Sequence, residues 1–71
     1  MHIGMTITIN NKQVEVVAQE VLQQIVFDQI GENAKGVAVA INGQVIPKDS
    51  WPQTAVSEND DILIIKATQG G

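Results

Sequence analysis

Chemistry is concentrated at one place in this chain, the closing run Lys66-Ala67-Thr68-Gln69-Gly70-Gly71. The apolar stretch Ile62-Leu63-Ile64-Ile65 stops abruptly before it, and two residues without side chains carry the final carboxylate. Glycine lacks a Cβ and reaches backbone angles closed to other residues, which suits a tip that enters a narrow site on another protein. The plain alternative is a frayed end with incidental glycines, because small domains commonly finish in unpatterned polar residues. On these residues alone both readings stand.

Little else in the chain is equipped for a reaction. His2 is the single histidine and reads as a terminal residue rather than a ligand. Glu58, Asp60 and Asp61 gather at a turn, where carboxylates are ordinarily solvated. No G-x-x-x-x-G-K-[ST] phosphate loop occurs. Ser50 and Ser57 have no partner histidine for a hydrolase triad, and the spacings of a metal site are missing. Trp51 reads as an anchor that packs a long loop onto the core. The expectation is a protein that is not itself an enzyme and binds neither metal nor cofactor.

Composition narrows the partners. A net charge of -4, with Lys12, Lys35, Lys48 and Lys66 scattered, opposes binding to nucleic acid phosphates. Cysteine is absent, so disulfides and thiol chemistry on the chain are excluded. No apolar run approaches the roughly 20 residues that span a bilayer, and no signal-peptide pattern is present. A cytoplasmic domain without membrane contact is expected. Seventy-one residues allow one core, and with one Phe, one Trp and no Tyr that core is aliphatic.

The elements that position the tail follow from periodicity. Residues 1–4 read as a short extension, because alternation starts at Met5, Ile7 and Ile9 with Thr6 and Thr8 between them. Asn10-Asn11-Lys12 is a turn, and Gln13-Val14-Glu15-Val16 resumes the alternation as the second strand of a hairpin. Over residues 19–30 the period changes to that of a helix, with Val21, Leu22, Ile25, Val26 and Ile30 on one side. Phe27 falls off this apolar arc and Gln29 falls within it. Gly31 ends the helix in the left-handed role, and residues 32–36 form a polar connection.

Val37-Ala38-Val39-Ala40-Ile41, Asn42-Gly43 and Gln44-Val45-Ile46 make the strongest local signal, a hairpin with both loop residues at positive φ. Pro47 has no amide donor and ends the fourth strand. Residues 48–56 read as an irregular loop, and residues 57–60 as a turn into the last strand, residues 61–66. A lone amphipathic helix needs a sheet to cover, so the fold class is α+β. The order fits a β-grasp, a mixed sheet of four to five strands packed on one helix, with the last strand parallel to the first at the centre. Central placement in the sheet is the reading for the unbroken run Ile62-Leu63-Ile64-Ile65. The division expected is a folded domain over 1–66 and a flexible tail over 67–71. Extended, the five residues after Lys66 reach about 17 Å.

Residues 37–47 with Val-Ile-Pro at their end, then Trp51, Thr54, the acidic turn and Gln69-Gly70-Gly71, resemble the ThiS family. These are the small ubiquitin-like sulfur carriers of thiamine biosynthesis. The resemblance covers about half the chain; the first half matches in pattern only. It implies a cycle on the carboxylate of Gly71. An E1-like adenylating enzyme of the ThiF type uses ATP and magnesium to form an acyl-adenylate there. A persulfide relayed from a cysteine desulfurase displaces AMP to leave a thiocarboxylate, and thiazole synthase (ThiG type) takes the sulfur. Gln69 and Gly70 form the tail that carries the group, and the free protein is expected to be a monomer.

This chain departs from the family pattern at three points. Asn59-Asp60 stands where Gly-Asp is usual, Ala67-Thr68 lacks a bulky residue before Gln-Gly-Gly, and Leu63 replaces a commonly charged residue. If Ile62 and Ile64 face the helix, Leu63 and Ile65 lie on the far face near Ala38 and Ala40, an apolar patch suited to a partner. The competing expectation is that Trp51 or its loop half-shields Leu63. A rival of the same class is the molybdopterin-synthase small subunit (MoaD type), ranked lower because Lys66-Ala67-Thr68 lacks prolines. A rival of another class is a non-catalytic β-grasp interaction module.

Overall fold

Two runs rich in β-formers, one on either side of an Asn-Asn pair, begin the sheet. In the computed structural model, which describes residues 4–31 and 36–66, β1 (Gly4–Ile9) and β2 (Lys12–Val17) pair antiparallel from Gly4↔Val17 to Ile9↔Lys12. Asn10 and Asn11 form the whole connection, at φ 52 and 70, the positive angles a two-residue hairpin loop requires. Lys12 therefore belongs to the strand and not to the turn. Gly4 is likewise the first residue of β1, so the expected extension is shorter by at least that residue.

The helix α1 (Leu22–Ile30) starts three residues later than its periodicity suggests. Gln19 sits at φ 67 and breaks the helical path. Val21 makes an isolated bridge to Ala55, the Leu22 amide donates to the Thr54 carbonyl at 2.8 Å, and the Val56 amide donates to Glu20 at 3.0 Å. No side-chain cap is present; the loop carbonyl takes the role of one. At the other end Gly31, φ 69, donates its amide to Phe27 at 2.7 Å and stops the helix as expected. Phe27 is half exposed, and Gln29 is exposed although it lies in the apolar arc.

β3 (Val37–Ile41) and β4 (Gln44–Ile46) turn on Asn42 and Gly43, φ 52 and 85, as the Asn-Gly pair requires. Pro47 ends β4, and a 3-10 helix (Lys48–Gln53) follows where an irregular loop was expected. Trp51 is buried in it, and its indole Nε1 donates to the Ile46 carbonyl at 3.0 Å. Trp51→Phe removes that donor and leaves a gap, so it is expected to cost about 1–3 kcal/mol in urea unfolding. Circular dichroism reads the transition, since Trp51 is the only tryptophan. An unchanged midpoint would show that the anchor contributes nothing.

β5 (Asp61–Lys66) runs parallel to β1 through Thr8↔Asp61 and Ile9↔Ile62, and antiparallel to β3 from Val37↔Lys66 to Ile41↔Ile62. The five-strand order is β2-β1-β5-β3-β4, the mixed sheet of a ubiquitin-like β-grasp. Ile7, Ile9, Val39, Ile62 and Ile64 from the sheet meet Leu22, Ile25 and Val26 from the helix in one aliphatic core, closed by Trp51 and Val56. Each such side chain contributes about 1.5–3 kcal/mol by leaving water. The helix covers one face of the sheet. Central position does not bury β5 on both faces: Ile62 and Ile64 are buried, while Leu63 and Ile65 are exposed at 45% and 51%. The run looks continuous only because both faces of this strand carry apolar residues.

Candidate functional site

The tail expected to react, Gln69, Gly70 and Gly71, lies outside the described residues, and so does His2. What the structure describes is its root. β5 ends at Lys66, and three groups of contacts hold the strand in place.

At its start the acidic turn is structural. Asn59 takes φ 68, and its amide donates to Thr6 at 2.8 Å. One Asp60 carboxylate oxygen accepts the Ser57 amide at 2.8 Å, and the other accepts the Asn42 side-chain amide at 3.1 Å. Asn42 Oδ1 in turn accepts the Asp61 amide at 2.9 Å, while Thr8 Oγ1 donates to Asp61 at 3.0 Å. Glu58 accepts the Thr6 amide at 3.4 Å. The acids at this turn are thus acceptors that tie β5 to β1 and to the β3–β4 loop, and not merely solvated charges. Among the described residues no cluster of His, Asp or Glu is arranged to hold a metal ion.

In its middle β5 meets Asn10. The Asn10 side chain accepts the Ile64 amide at 2.8 Å and donates to the Ile64 carbonyl at 3.3 Å. A carboxamide offers the same donor and acceptor pair as a peptide, so it continues the ladder one step after the β1 backbone has turned away.

The third group is the pairing with β3, which runs as far as Lys66. That register decides the open face of the sheet. Ala40 stands opposite Leu63, Ala38 opposite Ile65, and Val45 opposite Ala40. Successive strand residues alternate sides, so all five point away from the helix. Val45 is 68% exposed and joins the patch, although only Leu63, Ile65, Ala38 and Ala40 stand out in the sequence. The usable signal for Val45 is its place five residues past Ala40, which a two-residue loop brings directly opposite. Trp51 does not shield Leu63, because its ring is in the core on the helix side.

This face changes character along β5. Its first row, Thr8 and Asp61, is polar, and the rows built on Leu63 and Ile65 are apolar up to the residue before Lys66. The apolar area adjoins the point where the tail leaves. A second, shallow hollow lies on the helix side, lined by Gln23, Val26, Phe27, Gly31, Lys48 and Trp51. It is remote from the exposed ends of Leu63 and Ile65, which face the other way.

A central strand parallel to the first, roofed by a helix on one face and apolar on the other, is a β-grasp arrangement, and one family spans it. Residues 6–71 match the profile of the ThiS family. The chain belongs to the ThiS family. It is 30% identical over 67 residues to the sulfur carrier protein ThiS of Escherichia coli (strain K12), covering 94% of this chain and 100% of that protein. The fold is similar to the crystal structure of the thiamine biosynthesis protein ThiS from Geobacter metallireducens. The TM-score is 0.80 at 23% identity, with 94% of this chain and 100% of that one covered. The solution structure of a thiamine biosynthesis protein from Geobacter metallireducens gives 0.76 at 23% identity, covering 94% and 88%. The ThiS match takes in the first half as well, where the sequence motifs resemble the family in pattern only. The family match extends through Gly70 and Gly71.

Proposed function

We propose that this chain is the sulfur carrier of thiamine biosynthesis and that the Gly71 carboxylate is its reacting group. The observation that carries the reading is the family match through the terminal Gly-Gly. The relative that this chain covers from end to end, named as a sulfur carrier protein, agrees with it.

The chemistry divides between this chain and its partners. A carboxylate is a poor acyl donor until it gains a leaving group. An E1-like adenylating enzyme of the ThiF type supplies ATP and magnesium; the Gly71 carboxylate attacks the α-phosphate, pyrophosphate leaves, and an acyl-adenylate forms. The terminal sulfur of a persulfide, charged by a cysteine desulfurase, attacks the acyl carbon and releases AMP. A further thiol attacks the partner cysteine's sulfur in the resulting acyl disulfide, forms a disulfide with it, and releases the thiocarboxylate that thiazole synthase (ThiG type) consumes. All the thiols belong to partners, since this chain has no cysteine.

The chain's own contribution is docking and delivery. Leu63, Ile65, Ala38, Ala40 and Val45 offer an apolar face that a partner covers while the tail enters its site. Intact mass tests the reading. Incubated with a ThiF-type enzyme, MgATP and a persulfide donor, the chain gains the difference between sulfur and oxygen at Gly71. An unchanged mass, under conditions that convert an established carrier, refutes it.

A further inference from the structure

β1 and β5 pair through the backbone at two positions only, Thr8↔Asp61 and Ile9↔Ile62. The last bond of this ladder runs from the Asn10 amide to the Ile62 carbonyl at 2.9 Å, and the chain then reverses through Asn10 and Asn11. From Leu63 onward the β1 side of β5 has no backbone ladder. Asn10 fills the next step with its side chain, bonded to both the amide and the carbonyl of Ile64 across 54 residues.

Ile64 is a consequential place for such a clamp. Its neighbours Leu63 and Ile65 form the exposed apolar face, while Ile64 itself is buried against the core. Fixing the Ile64 peptide fixes which way its two neighbours point and the direction in which β5 approaches Lys66. We propose that Asn10 is a positioning residue for the sulfur-carrier reaction, its carboxamide holding the root of the tail in register with the docking face. This inference rests on the sulfur-carrier reading above. The docking face supplies affinity for the adenylating partner, and the clamp governs how often a docked carrier presents its carboxylate in line with ATP. Its loss is therefore felt in turnover and not in binding.

Two variants test this. Asn10→Gly keeps the positive φ of the loop and removes both bonds to Ile64. Asn10→Asp keeps an acceptor for the Ile64 amide and loses the donor to its carbonyl. ATP–pyrophosphate exchange with a ThiF-type enzyme gives kcat and KM for the full-length carrier, and NMR hydrogen exchange reads the Ile64 amide. For Asn10→Gly we expect Ile64 exchange to rise and kcat to fall about ten-fold, with KM within about two-fold of wild type. Asn10→Asp falls between. Wild-type kcat despite faster Ile64 exchange overturns the proposal, as does a change confined to KM, which would place Asn10 in the docking surface. Should the glycine variant not fold, the aspartate variant decides by the same two criteria. An unreactive wild type overturns the carrier reading itself and this inference with it. That failure is distinct because it appears before any substitution, with Ile64 exchange still slow.

Discussion

Deletion of Gly71 is expected to abolish adenylation and thiocarboxylate formation and to shift unfolding free energy by less than about 0.5 kcal/mol. Both halves of this result follow from where β5 is anchored. Among the described residues every buried core residue lies between Met5 and Ile64, and the described ladder ends at Lys66. Shortening the chain at residue 71 removes none of these contacts. It does move the carboxylate back by one residue, about 3.3–3.6 Å along an extended backbone. Reacting atoms must come within about 3–3.5 Å, so a retreat of that size leaves the carboxylate out of reach of the nucleotide while the folded body is docked. Gly70→Trp has the same outcome for a different reason: the indole does not pass where two glycines do. Pyrophosphate exchange and urea unfolding check the pair of claims. Adenylation of the shortened chain at the wild-type rate would remove Gly71 from the chemistry. A loss of several kcal/mol on trimming would mean that the tail is part of the folded body.

The second large effect separates two adjacent residues. Leu63→Glu puts a charge at the centre of the apolar face, between Ala40 and Ile65, and is expected to raise the KM for the carrier about 30-fold or more. Its cost in stability is expected within about 0.5 kcal/mol, because Leu63 is already 45% exposed and no core contact depends on it. Ile62→Ala does the reverse. Ile62 is fully buried between the sheet and the helix, and truncation there costs about 2–5 kcal/mol, a large fraction of the stability of a domain this small. Where enough of the variant stays folded, its KM remains near that of wild type. Titration with the adenylating partner and urea unfolding give both numbers for both variants. A Leu63→Glu chain that unfolds with Ile62-like severity would move Leu63 into the core. One that docks normally would leave the open face without a partner.

These two residues also show how much was legible in advance. Strand β5 could be bounded from residues 61–66 alone, and the hairpins could be placed from Asn10-Asn11 and Asn42-Gly43, since loops at positive φ admit few residue types. Gly31 marked the helix end for the same reason. The helix start was not legible, because Val21 continues the apolar period yet is bridged to Ala55, and a partner 34 residues away leaves no trace in local spacing. The 3-10 helix over Lys48–Gln53 was missed because six residues around an internal proline show no resolvable period.

Local chemistry by itself determined the order of elements, the turns, an aliphatic core and a closing Gly-Gly pair. Steric limits on φ and the periods of 2 and 3.6 act within a few residues, and those are read directly from a chain. The tertiary structure alone decided what the Ile62-Leu63-Ile64-Ile65 run is for. Alternation says that neighbours face opposite ways; it does not say that one side is roofed by α1 and the other left open. Nor does it say that the side chain of Asn10, a turn residue by every local criterion, completes the ladder at Ile64. Both depend on contacts between residues more than 20 positions apart, made only when β1, β3 and the helix assemble around β5.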